Sequence, residues 1–154
     1  MAYSVDMSST LDDIWATRSA DGTFCHKIEI DTSATNLGAA LHKVTAIPAG
    51  TFIQGVIVYC TTVEGATATI DVGDHTDADT AIDIDGWIDG ANLNSLVATS
   101  TGQAATTEEY ASGKYYPATK DLTITVNNAL DAAIFELFIF GRHVDGRVWE
   151  YPAS

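Results

Sequence analysis

The segment Ala133-Ile-Phe-Glu-Leu-Phe-Ile-Phe140 is apolar on both faces apart from Glu136. A strand of this kind must be covered on two sides, which places it in the middle of a packed sheet or at a subunit contact. The rest of the chain carries more strand patterns. From Thr23 to Ile30, Phe24, His26, Ile28 and Ile30 share one face and Thr23, Cys25, Lys27 and Glu29 the other, the period of two that marks a half-buried strand. Thr51 to Thr62 is β-branched and aromatic and follows a Pro48-Ala-Gly50 turn. Val63-Glu64-Gly65 then leads to Ala66–Val72, which is expected to be its hairpin partner. Leu122, Ile124 and Val126 alternate with Thr123 and Thr125 before the turn-forming Asn127-Asn128.

Helix signals are few. Thr10 to Trp15 has an N-cap residue and early acids, and Ser33 to Leu41 is read as a second helical turn weakened by Gly38. Asp outnumbers Glu by 15 to 6, and only 4 Lys and 2 Gln are present, which is poor helix material. No solenoid or propeller period stands out. Short strands separated by Gly, Asn and Asp turns predict a mainly β chain: an antiparallel, jelly-roll-like β-sandwich over 23–143, with extended segments at 1–22 (an arm or short helix) and 144–154 (a tail).

The 154 residues suit one domain with a buried core. A formal net charge of −14 argues against nucleic-acid binding, which needs a basic surface. No apolar run approaches the roughly 20 residues that span a bilayer, so no membrane partner is expected. The acidity is local. Residues 66–113 hold 9 acidic and no basic residues, and this stretch is expected to form a solvated outer face turned away from partners.

Within it lie Asp71, Asp74, Asp77, Asp79, Asp83, Asp85 and Asp89. Such a cluster invites Ca²⁺, but EF-hand spacing fails, since the first ligand would be Ala81 and the twelfth Asn92. The preferred reading is Asp residues that shape turns, with Asp83 and Asp85 on a wet strand face opposite Ile82 and Ile84. Gly73 is read as a chain reversal leaving a strand. His26 is expected to be a core histidine. His75 lies among carboxylates that would favour its charged form. His42 and His143 suggest no shared site. Cys25 and Cys60 offer a disulfide or a metal pair, or else two small buried hydrophobes; the N-terminus has no secretory signal, which favours the last.

Trp15, Trp87, Trp149, Tyr110, Tyr115, Tyr116 and Tyr151 are candidates for a sugar-stacking surface or interface anchors, against ordinary packing. GxSxG, HExxH and P-loop patterns are missing. The sequence therefore nominates no catalytic, cofactor-binding or metal-ligating residues, and no enzyme.

Ile47-Pro48-Ala49-Gly50-Thr51, the strand after it, Ile70-Asp71-Val72-Gly73-Asp74, Leu122–Asn127 and Ala133–Phe140 occur in an order that resembles the small β-sandwich structural proteins of tailed bacteriophage virions, of capsid decoration (cement) or fibre type. The likeness covers roughly residues 44–143. It implies a jelly-roll-like homotrimer bound to the major capsid protein on the outside of a head, assembled in the bacterial cytoplasm and bridging shell subunits. The alternative it implies is a fibre or knob subunit that binds host polysaccharide through aromatics around Trp87 or Tyr110–Tyr116.

Overall fold

Alternation along the chain becomes alternation of burial in the computed structural model, which describes residues 3–5, 7, 22–102 and 109–144. Strand β1 (Thr23–Asp31) buries Phe24, His26, Ile28 and Ile30 and turns Thr23, Cys25, Lys27 and Glu29 outward. It is followed by β2 (Leu41–Ile47), β3 (Thr51–Thr62), β4 (Thr69–Asp77), β5 (Thr80–Asn92), β6 (Ala98–Ser100), β7 (Lys114–Tyr116), β8 (Lys120–Val126) and β9 (Ile134–His143). Their pairings are all antiparallel.

One sheet has the order β1-β9-β3-β6, with β7 also paired to β3; the other is β2-β8-β4-β5. The chain changes sheet at most of its connections, and its first strand pairs with its last. That order is a double Greek key, the jelly roll. Between the sheets lies a core that includes Ile28, Trp87, Tyr116, Leu122, Ile124 and Phe135. Burying each such side chain contributes about 1.5–3 kcal/mol relative to exposure. The run at 133–140 lies mid-sheet between β1 and β3, one of the two places its apolar character allowed.

Two local expectations fail for identifiable reasons. Val63-Glu64-Gly65 does not close a hairpin, because β3 pairs with β9, β6 and β7 while β4 pairs with β5 and β8. The turn crosses between sheets instead. Glu64 fixes that crossing by accepting the backbone N–H groups of Asp131, Ala132 and Ala133 at 2.8–3.1 Å. Burial alone would raise the Glu64 carboxyl, but these donors outweigh it and lower its pKa. Ser33 to Leu41 forms no helix beyond a single turn closed at its start by Thr35 N–H donating to Asp31 O at 3.4 Å. Asp31 Oδ1 caps the N–H of Ser33, and Leu37 then bridges to Leu130. The helix expected at Thr10–Trp15 lies outside the described residues.

Gly73 is not a chain reversal either. It sits inside β4, where β5 bulges across it. A Cβ there would stand 2.1 Å from the Asp83 carbonyl oxygen and 2.3 Å from the Ile84 carbonyl carbon. Backbone cannot retreat as a flexible side chain can, so Gly73→Ala is expected to lower unfolding free energy by about 3 kcal/mol in urea melts. A loss below about 1 kcal/mol would contradict this close approach.

Residues at the N-terminus lie along the outer edge of β2. Ser4 N–H donates to Leu41 O, Lys43 N–H to Val5 O, and Met7 N–H to Lys43 O, each at 3.0 Å. Val5 and Met7 pack on the core. Tyr3 Oη donates to Asp121, which also pairs with Lys43 at 3.2 Å. This edge of the second sheet is therefore covered rather than open.

Candidate functional site

The most unusual polar feature is a carboxylate inside the sandwich. Ile70, Val72 and Asp74 share the inward face of β4, opposite Val126, Ile124 and Leu122 of β8. Asp74 is 0% exposed, and an isolated carboxylate there would be costly without compensation. The compensation comes from the other sheet and the segment before it. Tyr110 Oη donates to Asp74 Oδ1 at 2.9 Å. Tyr116 Oη and Lys114 Nζ donate to Oδ2 at 2.7 and 2.6 Å. Trp87 Nε1 donates to Tyr116 Oη at 3.1 Å.

The Lys114 ammonium also donates to Tyr110 Oη and lies 3.9 Å from that ring's centroid, where the π face attracts it. Burial and then the Asp74 charge push both tyrosine hydroxyls far above their ordinary range, so both stay protonated donors. Gly86 makes room for Tyr110, whose ring a Cβ would meet at 2.4 Å. Gly113 holds the turn between Tyr110 and Lys114 at φ +87°, a conformation that favours glycine.

This cluster decides one alternative and corrects one expectation. Trp87, Tyr110 and Tyr116 pack in the core, the ordinary packing weighed against a sugar platform; of that group Tyr115 alone is exposed. Trp15, Trp149 and Tyr151 lie outside the described residues. Asp74 is not part of a solvated face. The register carried the clue, since Asp74 falls in phase with Ile70 and Val72.

The other aspartates largely shape turns. Asp71 accepts Gly90 N–H at 2.8 Å and Asn127 Nδ2–H at 3.2 Å, Asp77 accepts Asp79 N–H, and Asp83 accepts Asp85 N–H. Along β5 the expected faces are exchanged. Ile82 and Ile84 are exposed while Asp83 and Asp85 are half-buried, because repeated register shifts against β4 turn the strand over. Asp89 is half-buried on the same strand. Among the described residues, no group of three or more His, Cys, Asp or Glu is placed to hold a metal ion.

All four histidines are buried. His26 occupies the core as expected, with its ring 4.9 Å from Phe24, which also packs 5.1 Å from His143. Burial, then the neighbouring His143, lowers the His26 pKa to about 4. His42 Nε2 lies 2.9 Å from Gly38 O. His75 departs from expectation: burial lowers its pKa and outweighs the attraction of Asp74, Asp121 and Asp77. Its Nδ1 meets Thr123 Oγ1 at 3.0 Å. Cys25 and Cys60 are both free thiols. Cys60 is buried as expected, but Cys25 falls on the outward phase of β1 and is exposed.

The two sheets present different outer surfaces. On the β1-β9-β3 side, Phe52, Ile57, Phe138 and Phe140 are half-buried and Tyr59 and Tyr115 are exposed. Their charged neighbours nearly cancel, Lys27 and Arg142 against Glu29, Asp31 and Glu136, with Lys27 paired to Glu136 at 2.8 Å. The β4–β5 side carries Asp77, Asp79, Asp83, Asp85 and Asp89 beside exposed Ile82 and Ile84, with no Lys or Arg on either strand.

Strand order and core define a jelly-roll β-sandwich. No protein-family model and no curated relative matches the chain. Among solved structures it is similar to a chain in "Capsid of Ralstonia phage GP4", with a TM-score of 0.62 and 9% identity over 92% of this chain and 98% of that one. It is also similar to a chain in "Acidic stable capsid structure of Helicobacter pylori bacteriophage KHP30", with a TM-score of 0.50 and 13% identity over 77% and 86% of the two chains. At such identities the likeness is one of fold.

Proposed function

We propose that this chain is a structural protein of a bacteriophage virion: a decoration (cement) protein that binds the outside of the head and bridges subunits of the major capsid protein. It works by binding rather than turnover. The observation that carries this reading is the aromatic-rich outer face of the β1-β9-β3 sheet, whose charges nearly cancel, on a sandwich whose fold likeness spans nearly the whole of a chain from a phage capsid structure. Aromatic side chains gathered about a paired Lys27 and Glu136 suit a desolvated protein contact. The acidic β4–β5 side then faces solvent. Contacts made only in the assembled shell stabilise it by mass action, and a homotrimer fits the threefold positions of such a shell.

Cryo-electron microscopy of particles carrying the protein tests the assignment. Many copies distributed over the shell are expected. Copies confined to the tail would overturn decoration and favour a fibre subunit. Tyr59→Glu, on an exposed position, is expected to weaken binding to purified heads by about tenfold or more, with a fall of only a few degrees in melting temperature from the new carboxylate opposite Glu136. Asp79→Ser, on the acidic side, is expected to leave binding within about twofold of wild type. Equal binding by Tyr59→Glu and wild type would remove this face as the contact.

A further inference from the structure

We propose that Asp74 and Lys114 condense within the folded chain to form an isopeptide bond, a covalent tie between the two sheets. This goes beyond the virion role and can be tested on the purified chain alone. The geometry assembles what amide formation needs. Lys114 Nζ stands 2.6 Å from Asp74 Oδ2, so the carboxyl carbon is one bond further on, and fixed approach of this kind makes a slow condensation effectively unimolecular. Asp74 is 0% exposed, and aromatic residues Trp87, Tyr110 and Tyr116 surround the pair. Burial of Asp74 keeps bulk water from competing with the amine at the carboxyl carbon.

The step balances without a co-reactant. A proton passes from the Lys114 ammonium to the Asp74 carboxylate. The amine lone pair then forms a bond to Cγ, and the displaced C=O electron pair becomes an oxyanion. Tyr110 donates to one carboxyl oxygen and Tyr116 to the other, so the developing charge has a donor already in place. Collapse expels one carboxyl oxygen as water with two protons, leaving a secondary amide. Lys114 is 22% exposed, so its side of the site opens to solvent and the water has a way out. No atom changes oxidation state. A simple ion pair would serve equally well to neutralise Asp74, and the two differ in mass.

Intact-mass spectrometry of the full, folded chain is the test. Wild type is expected to weigh about 18 Da less than its sequence sum, one water, and a protease digest should yield a branched peptide joining residues 74 and 114. Lys114→Arg is expected at its full sequence mass. Asp74→Asn offers ammonia as the leaving group and is expected to lose about 17 Da instead. Tyr116→Phe removes one donor while keeping the ring, and a mixture of joined and unjoined chains is expected. Folded wild type at its full sequence mass after days of incubation would overturn the proposal and leave an ion pair. Should the Asp74 and Lys114 variants fail to fold, the wild-type mass alone decides.

Discussion

With Asp74 and Lys114 held as an ion pair, as in a chain of full sequence mass, Asp74→Ala is expected to lower the unfolding free energy by about 3–5 kcal/mol, the cost of breaking a buried pair by removing one partner. The alanine leaves the Lys114 ammonium facing two phenols with no anion, and both tyrosine hydroxyls lose their acceptor. Lys114→Met should cost a similar amount, because it leaves a fully buried carboxylate held by two hydroxyls alone. The double variant should lose clearly less than the two single losses added together, since neither charge is then stranded. Urea denaturation of the four proteins measures this cycle, read once the wild-type mass has been established. Additive losses would show that the groups act independently, contrary to the geometry.

Acid should weaken the fold well before its carboxylates are protonated. His26 has a pKa of about 4 in the folded chain, lowered first by burial and then by His143, against 6.5 for the ordinary side chain. The unfolded chain therefore takes up a proton at higher pH than the native one. His26 contributes fully to stability above pH 6.5, and that contribution drains away as pH falls toward 4. The shift corresponds to about 3 kcal/mol. His75 adds in the same direction, because burial lowers it too. Asp71 acts oppositely, since burial raises its carboxyl and its protonation favours the native state. Thermal melts at steps between pH 7.5 and pH 4 should show a steady fall in midpoint. His26→Leu should flatten that slope, and an unchanged slope in this variant would assign the acid sensitivity elsewhere.

Strand positions were legible because a sandwich stamps its two-sidedness onto the chain with a period of two. Phe24 to Ile30 and Leu122 to Val126 could hardly be read otherwise, and mid-sheet was one of the two places open to the apolar 133–140 segment. Strand partners were not legible. Val63-Glu64-Gly65 has the chemistry of a hairpin turn and serves as a crossing between sheets, a choice made by Glu64 contacts with Asp131–Ala133, far along the chain. Gly73 was misread for a similar reason, since only the bulge of β5 shows why no side chain fits there. At the Asp74 cluster, composition misled: a base-free acidic stretch looks solvated, and its first compensating base is Lys114. The phase of Asp74 with Ile70 and Val72 pointed inward, but nothing in the sequence brings Tyr110, Lys114 and Tyr116 to it. Burial likewise reverses the histidine expectation, because desolvation at His75 exceeds the pull of three carboxylates.

Pairing of the first strand with the last has a consequence for how the molecule is made. Thr23 finds Arg142, and Asp31 finds Ile134, so the hydrogen bonds that complete β1 join opposite ends of the chain. Closing so long a loop comes late and slowly, and folding dominated by such distant pairings falls in the millisecond-to-second range rather than in microseconds. During synthesis β1 and β3 emerge before β9, the strand that lies between them, and present open edges to any neighbouring chain until it arrives. The interval before β9 leaves the ribosome is therefore when crowded nascent copies are most prone to pair wrongly with one another.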